Sequence, residues 1–412
     1  MSVDGERRTE ILETAADLFA SSGLRTSLKE IADACGILPG SLYHHFDSKE
    51  ALIVELIERY RADLDTVAEQ ALHGPRHTSE PIAERIVALG RAIAACAVRH
   101  RAALLLTLYE PPSGASDELV RAAARTPLAV EKAMVETLRR GRKEGYIRPG
   151  IDLESFAHRL VDAMLHISLG VLSNGGGAED VATIRCHIEL DGVAVDPPDD
   201  AALDRSAAFR VAQEIVDTWD KPDDGEDERF AMLCAVARTE FGRRGYEATT
   251  VRDIASAAGL STGSVYRLVG SKDELLSLIM RSFAVKVRDA WSTVLGSPSS
   301  TVEKLDALMW INIGVVDRFN DEYNISRMWL RESPPSTLNL GSTFSARMRD
   351  LKALVAKGVK SGELRFEGPS SDIRAYSLFE LIWMPQDIVR NGSPAALELG
   401  RGTVLRGAAR RG

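Results

Sequence analysis

Two short segments carry side chains suited to reading the hydrogen-bonding edge of another molecule. In the first, Pro39-Gly40-Ser41-Leu42-Tyr43-His44 is followed by Lys49. In the second, Thr262-Gly263-Ser264-Val265-Tyr266-Arg267 is followed by Lys272. Hydroxyl, imidazole and guanidinium groups can bond base edges, and small residues allow close approach. A lysine opening a helix can meet a phosphate with both its charge and the helix N-terminus. This is recognition chemistry, and nothing beside it is arranged for catalysis. Gly259-Leu260-Ser261-Thr262-Gly263 has the spacing of a hydrolase nucleophile turn, but that turn follows a buried strand, whereas VRDIASAA (251–258) reads as a helix. Cys35, Cys96, Cys186 and Cys234 form no C-x-x-C pair, so neither a zinc site nor a disulfide framework is expected. No enzyme activity, catalytic residue, metal or cofactor is expected.

The elements that must position these segments occur twice. Residues 11–57 and 233–280 align at an offset of 222, which becomes 223 after one extra residue in the second copy. Ala15, Phe19 and Gly23 match Ala237, Phe241 and Gly245; Ile31, Ala32, Gly36, Gly40, Ser41, Tyr43, Ser48 and Lys49 match Ile254, Ala255, Gly259, Gly263, Ser264, Tyr266, Ser271 and Lys272. Such a long period is a tandem duplication and not a solenoid. Ile11, Ala15 and Phe19 form one apolar helical stripe, repeated by Leu233, Ala237 and Phe241. Gly23 and Gly245 are placed to end that helix. Ser27 and Thr250 stand as N-caps of a short second helix. Gly36 and Gly259 supply the turn, where positive φ is nearly free only for glycine. Pro39 opens the next helix, where a missing N–H is harmless. Ser271 and Glu274 have capping-box spacing. Helix, turn and helix inside a bundle is the expected architecture.

These motifs closely resemble the TetR family of bacterial one-component regulators, through GILPGSLYHHFDSKEAL in the first copy and GLSTGSVYRLVGSKDELL, a degenerate version, in the second. The turns GRKEGYIRPG (141–150) and KGVKSGELRF (357–366) resemble a further family feature more loosely. The resemblance implies an all-α fold of two tandem units, each a three-helix DNA-binding domain followed by a helical effector and dimerisation domain. The expected boundaries are 1–50 and 51–195 for the first unit, a connector and acidic joint at 196–228, then 229–273 and 274–412. It assigns DNA contacts to Ser27, Lys29, Pro39, Gly40, Ser41, Tyr43, His44 and Lys49, and to Thr250, Arg252, Thr262, Gly263, Ser264, Tyr266, Arg267 and Lys272. The second copy departs at Arg267-Leu268-Val269, where the first has His44-His45-Phe46. Different half-site preferences are therefore expected.

Beyond these modules the sequence reads as helices near 50–72, 82–108, 117–145, 154–173, 178–190, 201–219, 270–295, 301–332, 343–361, 371–391 and 395–410. Effector-pocket candidates are Arg99, His100 and Tyr109 for an acidic ligand. His158 and His166 flank Asp162 on one helical face, where a hydrogen-bonded interface stripe is the simpler reading. Trp310, Tyr323, Trp329, Tyr376 and Trp383 could wall an apolar pocket, although each better suits a core. The family resemblance further implies a small-molecule effector, with an acyl-CoA or another lipid- or steroid-derived ligand as one class.

The chain carries 51 Lys and Arg against 60 Asp and Glu, a net charge of −9. That excludes non-specific coating of nucleic acid and requires a few placed cations instead. The first sixty residues hold Arg7, Arg8, Arg25, Lys29 and Lys49 within an acidic balance. The N-terminal MSVDGERRTEILE has no apolar signal core, and no apolar run is long enough to span a membrane, so a cytoplasmic location is expected. Two architectures remain open: a pseudo-dimer within one chain on an asymmetric operator, and a homodimer of fused chains. A different class, a ligand-binding or interaction protein that has lost DNA binding in one or both modules, also fits the degenerate second copy.

Overall fold

The computed structural model describes residues 3–22, 26–74, 80–107, 111, 114–124, 126–168, 177–219, 228–246, 248–329, 340–365 and 370–410. The first unit runs α1 (Val3–Ser22), α2 (Leu28–Ala34), α3 (Pro39–His45), α4 (Lys49–His73), α5 (Ile82–Arg99), α6 (Arg101–Leu106), α7 (Asp117–Ala124), α8 (Leu128–Lys143), α9 (Leu153–Leu165) and α10 (Ala178–Asp191). The connector supplies α11 (Asp200–Asp204) and α12 (Ala207–Thr218). The second unit follows as α13 (Glu228–Arg244), α14 (Val251–Ala257), α15 (Thr262–Val269), α16 (Lys272–Gly296), α17 (Thr301–Arg318), α18 (Asn320–Trp329), α19 (Leu340–Ser361), α20 (Ser371–Leu381), α21 (Gln386–Arg390) and α22 (Ser393–Gly400), ending in a π-helical turn at Arg401–Leu405. The fold is all-α. Among the described residues the only β-type pairings are the isolated bridges Ile147–Ala409 and Ala194–Leu364.

Local chemistry sets the repeated element starts. Ser27 with Glu30 and Thr250 with Asp253 close reciprocal capping boxes on α2 and α14. Gly36 and Gly259 take φ of 66° and 64° in the two turns, and Gly245 takes 81° after α13. Gly23 lies outside the described residues. Ser271 makes only half of its expected box: its hydroxyl accepts from Glu274 N at 3.1 Å, but its own N–H goes to Val269 O at 2.7 Å. Several long helices expected from periodicity are divided, among them 301–332, which breaks between α17 and α18. His100 separates α5 from α6, Pro127 caps α8 after α7, and Pro385 caps α21 after α20. The last two breaks follow from proline's lost N–H and its bias on the preceding residue.

Close helix approaches bind each unit together. A Cβ on Gly90 of α5 would stand 2.7 Å from Cys186 Sγ of α10, and one on Gly314 of α17 would stand 2.8 Å from Val216 of α12. The connector helix α12 is therefore part of the second unit's core. Arg401 reinforces this with paired bonds to Asp306 of α17, 2.7 and 2.8 Å, and a third to Asp204 of α11 at 2.8 Å.

The two units meet along a seam within the chain. Arg159 of α9 donates to the carbonyls of Leu381 and Trp383 beyond α20. Val193 N and Ala194 N donate to Val404 O and Leu405 O at 2.8 and 3.0 Å. The final residues return to the first unit, with Ala408 N on Glu189 O and Arg148 N on Ala408 O, each at 2.9 Å.

Candidate nucleic-acid interface and the seam cleft

The recognition helices rest on small apolar cores. Leu42 and Phe46 are buried beneath α3, and Val265 and Val269 beneath α15. Val269 thus occupies the inward place that Phe46 fills, with less volume. Burial of those faces turns the opposite ones outward: Pro39, Gly40, Ser41, Tyr43 and His44 are exposed, as are Thr262, Gly263, Tyr266 and Arg267. Tyr43 and Tyr266 expose 52% and 51% of their surface, at matching positions of the two helices. Ser264 is half-buried, its hydroxyl 2.9 Å from Ser261 Oγ and accepting from Arg267 Nη2 at 3.1 Å. Ser27, Lys29, Thr250 and Arg252 are exposed at the helix starts before each turn.

The cations expected at phosphates divide into two groups. Arg8 lies 4.1 Å over the Phe46 ring and bonds Glu55 at 2.5 Å, while Arg7 donates to Cys35 O at 3.0 Å. Both hold α1 against its neighbours. Lys272, the phosphate clamp expected in the second copy, is engaged within the module here. Its ammonium donates to Tyr246 O and Thr249 O, 2.9 and 3.0 Å, and lies 4.0 Å over the Tyr246 ring. These carbonyls, in the segment just ahead of α14, hold the ammonium inside the module. Lys49 is half-buried, 5.7 Å over the Phe19 ring, and burial lowers its pKa. Arg25 lies outside the described residues.

The second module is fastened to the helical domain behind it. In the second unit Arg238 of α13 bonds Glu322 of α18 at 3.1 Å, and Thr239 bonds Asp321 at 3.0 Å. Burial raises the Glu322 pKa against the pull of Arg238.

The effector candidates do not form one pocket. Arg99 and His100 both bond Asp63 of α4, at 3.2 and 2.8 Å, and the His100 bond is the main cause of a lowered Asp63 pKa. They clamp α5 to α4. Tyr109 lies outside the described residues, as does the side chain of Trp329. Trp310 packs on Phe209 of α12, 5.7 Å between rings, away from the seam. His158 bonds Glu131 of α8 at 3.1 Å and lies 3.9 Å from Asp387 of α21, the interface stripe that its spacing allowed. His166, Tyr323 and Trp383 do converge, lining a small cavity of ≈ 30 Å³ at the seam. Tyr323 and Trp383 stack there with centroids 4.7 Å apart. Tyr376 lies beside it, 5.6 Å beneath Arg185.

Periodicity alone missed three arginines. Arg159 and Arg185 also line the seam cavity, and both are buried. Their signal was present, as charges on the apolar faces of α9 and α10. Arg347 of α19 sits between the rings of Trp291 and Phe379, 5.9 and 5.8 Å from their centroids, where burial pushes its pKa down to about 10. With Gly358 aligned on Gly141, the first unit holds Val130 at that position. The interiors of the two units are thus chemically unlike.

The comparisons agree with this geometry. The family model described as bacterial regulatory proteins, tetR family, matches residues 11–56 and 233–279. The chain is 34% identical over 190 residues to the HTH-type transcriptional repressor KstR2 of Mycobacterium tuberculosis, covering 45% of this chain and 92% of the relative. It is 30% identical over 177 residues to the HTH-type transcriptional regulator UidR of Escherichia coli K12, covering 42% and 84%. The solved structure of the ketosteroid transcriptional regulator KstR2 of Mycobacterium tuberculosis aligns with a TM-score of 0.35 at 31% identity, over 43% of this chain and 89% of that one. Each relative therefore corresponds to less than half of the chain. With two matched DNA-binding segments and nearly full coverage of single-unit relatives, the chain belongs to the TetR family of bacterial regulatory proteins.

Proposed function

We propose that the chain is a ligand-responsive transcriptional repressor whose two units form a pseudo-dimer within one polypeptide and read an asymmetric operator. The observation carrying this reading is the seam. α9 and α10 of the first unit meet α20 and the tail of the second through buried side-chain and main-chain bonds. A chain that supplies both halves of a paired scaffold presents two unlike recognition helices, His44 in one and Arg267 in the other. Arginine can read guanine bidentately, so the half-sites need not match. A small-molecule effector binding the helical domains would bias the spacing of those helices. Operator and effector would then oppose one another through one coupling free energy, typically ~1–3 kcal/mol. Lipid- or steroid-derived ligands, including acyl-CoA, are the first class to test, given the ketosteroid designation of the KstR2 relative.

The inward Lys272 favours a second reading, in which the second module serves as sensor or scaffold and only the first reads DNA. One experiment separates the two. Bound genomic fragments are selected with the full chain, and Tyr43→Ala and Tyr266→Ala are then compared on the winning fragment. Comparable losses with a solution mass near 44.9 kDa support the pseudo-dimer. Loss confined to Tyr43→Ala supports the second reading, and failure to select any fragment overturns both.

A further inference from the structure

The seam cavity lies where the two units share a buried charge cluster, Arg159, Arg185 and Glu189, with Asp162 and Glu380 half-buried around it. Arg159 is saturated: Nε bonds Glu189 Oε1 at 2.6 Å and its other nitrogens meet Leu381 O, Trp383 O and the Met384 sulfur. Arg185 is not. It is fully buried and donates from Nη1 to Ala163 O, but Nε and Nη2 have no hydrogen-bond partner among the described residues. Glu189 Oε2, one helical turn further along α10, is also unpartnered. Closing Arg185 onto that oxygen would still leave two guanidinium groups on one carboxylate. Unpartnered buried donors incur a desolvation cost that a hydrogen-bond acceptor placed against them would remove.

We propose that this cavity is a binding site for a small monocarboxylate, held at its head by Arg185 and along its body by the Tyr323–Trp383 stack. The void of ≈ 30 Å³ holds about two water-sized groups, comparable to a carboxylate head. Planar guanidinium matches that head bidentately through two nitrogens. Leu381, Met384 and Pro385 add apolar wall from the second unit. The remaining facing charges set selectivity. Asp162, whose carboxylate is 3.1 Å from His166 Nδ1, and Glu380 are half-buried around the cavity. A second negative charge on the ligand would meet them, so dianions and the phosphates of coenzyme A are disfavoured here. The ligand would touch α9 and α10 of one unit and the α20 end of the other, bridging the seam. This site deepens the effector reading above and rests on it only for what binding does to DNA.

The test uses the full chain without DNA, titrated with benzoate, hexanoate, benzamide and phthalate and followed by calorimetry and tryptophan fluorescence. Saturable binding of benzoate or hexanoate at one per chain is expected, with benzamide and phthalate at least ~10-fold weaker than benzoate. Arg185→Met should weaken the carboxylates by at least ~10-fold while the melting transition is kept. Equal affinity for benzoate and benzamide, unchanged binding by Arg185→Met, or no saturable carboxylate binding would each overturn the site. If Arg185→Met does not fold, the benzoate–benzamide comparison on the wild-type chain decides alone. A chain that binds benzoate yet keeps its operator affinity leaves this site standing and removes its role as the effector site.

Discussion

Gly192 and Gly407 face one another across the seam so closely that neither has room for a methyl group. A Cβ on Gly192 would fall 2.4 Å from Gly407 N, and one on Gly407 would fall 2.4 Å from the carbonyl carbon of Asp191. Both residues also take positive φ, 70° and 81°. The obstructing atoms are main chain, so no rotamer change relieves them. Gly192→Ala or Gly407→Ala should therefore cost more than the ~1 kcal/mol of a positive-φ glycine alone. Gly362→Ala is the control: φ is 77° but nothing stands within 4 Å of its added Cβ. Chemical denaturation of the three variants tests the ranking. Equal losses would show that the seam is not under this constraint.

The buried pair Arg401–Asp306 is the second place where the chain depends on contact between distant segments. Asp306 is fully buried, and that burial raises its pKa against the stabilising pull of Arg401. Arg401→Met would leave an isolated buried carboxylate, costing about 3–5 kcal/mol. The double variant Arg401→Met with Asp306→Leu removes both charges and should recover most of the loss. Urea denaturation of the single and double variants checks this, and a double variant no more stable than the single one contradicts it.

The repeated DNA-reading modules were legible in the sequence because their determinants are local. Gly36, Ser27 and the Ile11-Ala15-Phe19 stripe each act within a few residues, and the structure places them as their spacing implies. Proline breaks at 127 and 385 were equally local, but regular apolar spacing on both sides concealed them. The seam was not legible. Arg159, Arg185 and Glu189 read as isolated charges on apolar faces, and their meaning appears only when α20 is brought against α9. Lys272 shows the same limit, because the carbonyls that capture it lie 23 and 26 residues earlier in the chain.

His158 gives the seam a pH dependence of defined sign. Its pKa is raised above the ordinary 6.5, chiefly by the hydrogen bond it donates to Glu131, with Asp162 and Asp387 assisting. A histidine with a raised folded pKa adds stability that is fully present below about 6.5 and is lost as pH rises through the folded value. His158→Gln should remove that dependence while keeping a hydrogen-bonding side chain. Unfolding free energy measured across this window should fall with rising pH more steeply in the wild type than in the variant. Parallel profiles would show that His158 does not carry the effect.

Few cations stand on the faces that would meet phosphates, and this bounds the salt dependence of operator binding. On the recognition faces Lys29, Arg252 and Arg267 are exposed and Lys49 is half-buried, whereas Lys272 is engaged with Tyr246 and Thr249. Each neutralised phosphate contributes about −0.9 to the slope of log K against log salt, so about four contacts give a slope of about −3.6. Lys29→Ala and Arg252→Ala should each flatten that slope by about one unit with little change in base preference. Lys272→Ala should leave the slope unchanged and instead lower the stability of the second module, since it removes two bonds that hold α16 to the segment before α14. Fluorescence anisotropy on the selected operator between low and physiological salt measures all three. A wild-type slope near that of a ten-contact binder would contradict this small number of contacts, and a flattening by Lys272→Ala equal to that of Lys29→Ala would mean that Lys272 turns outward when DNA is bound.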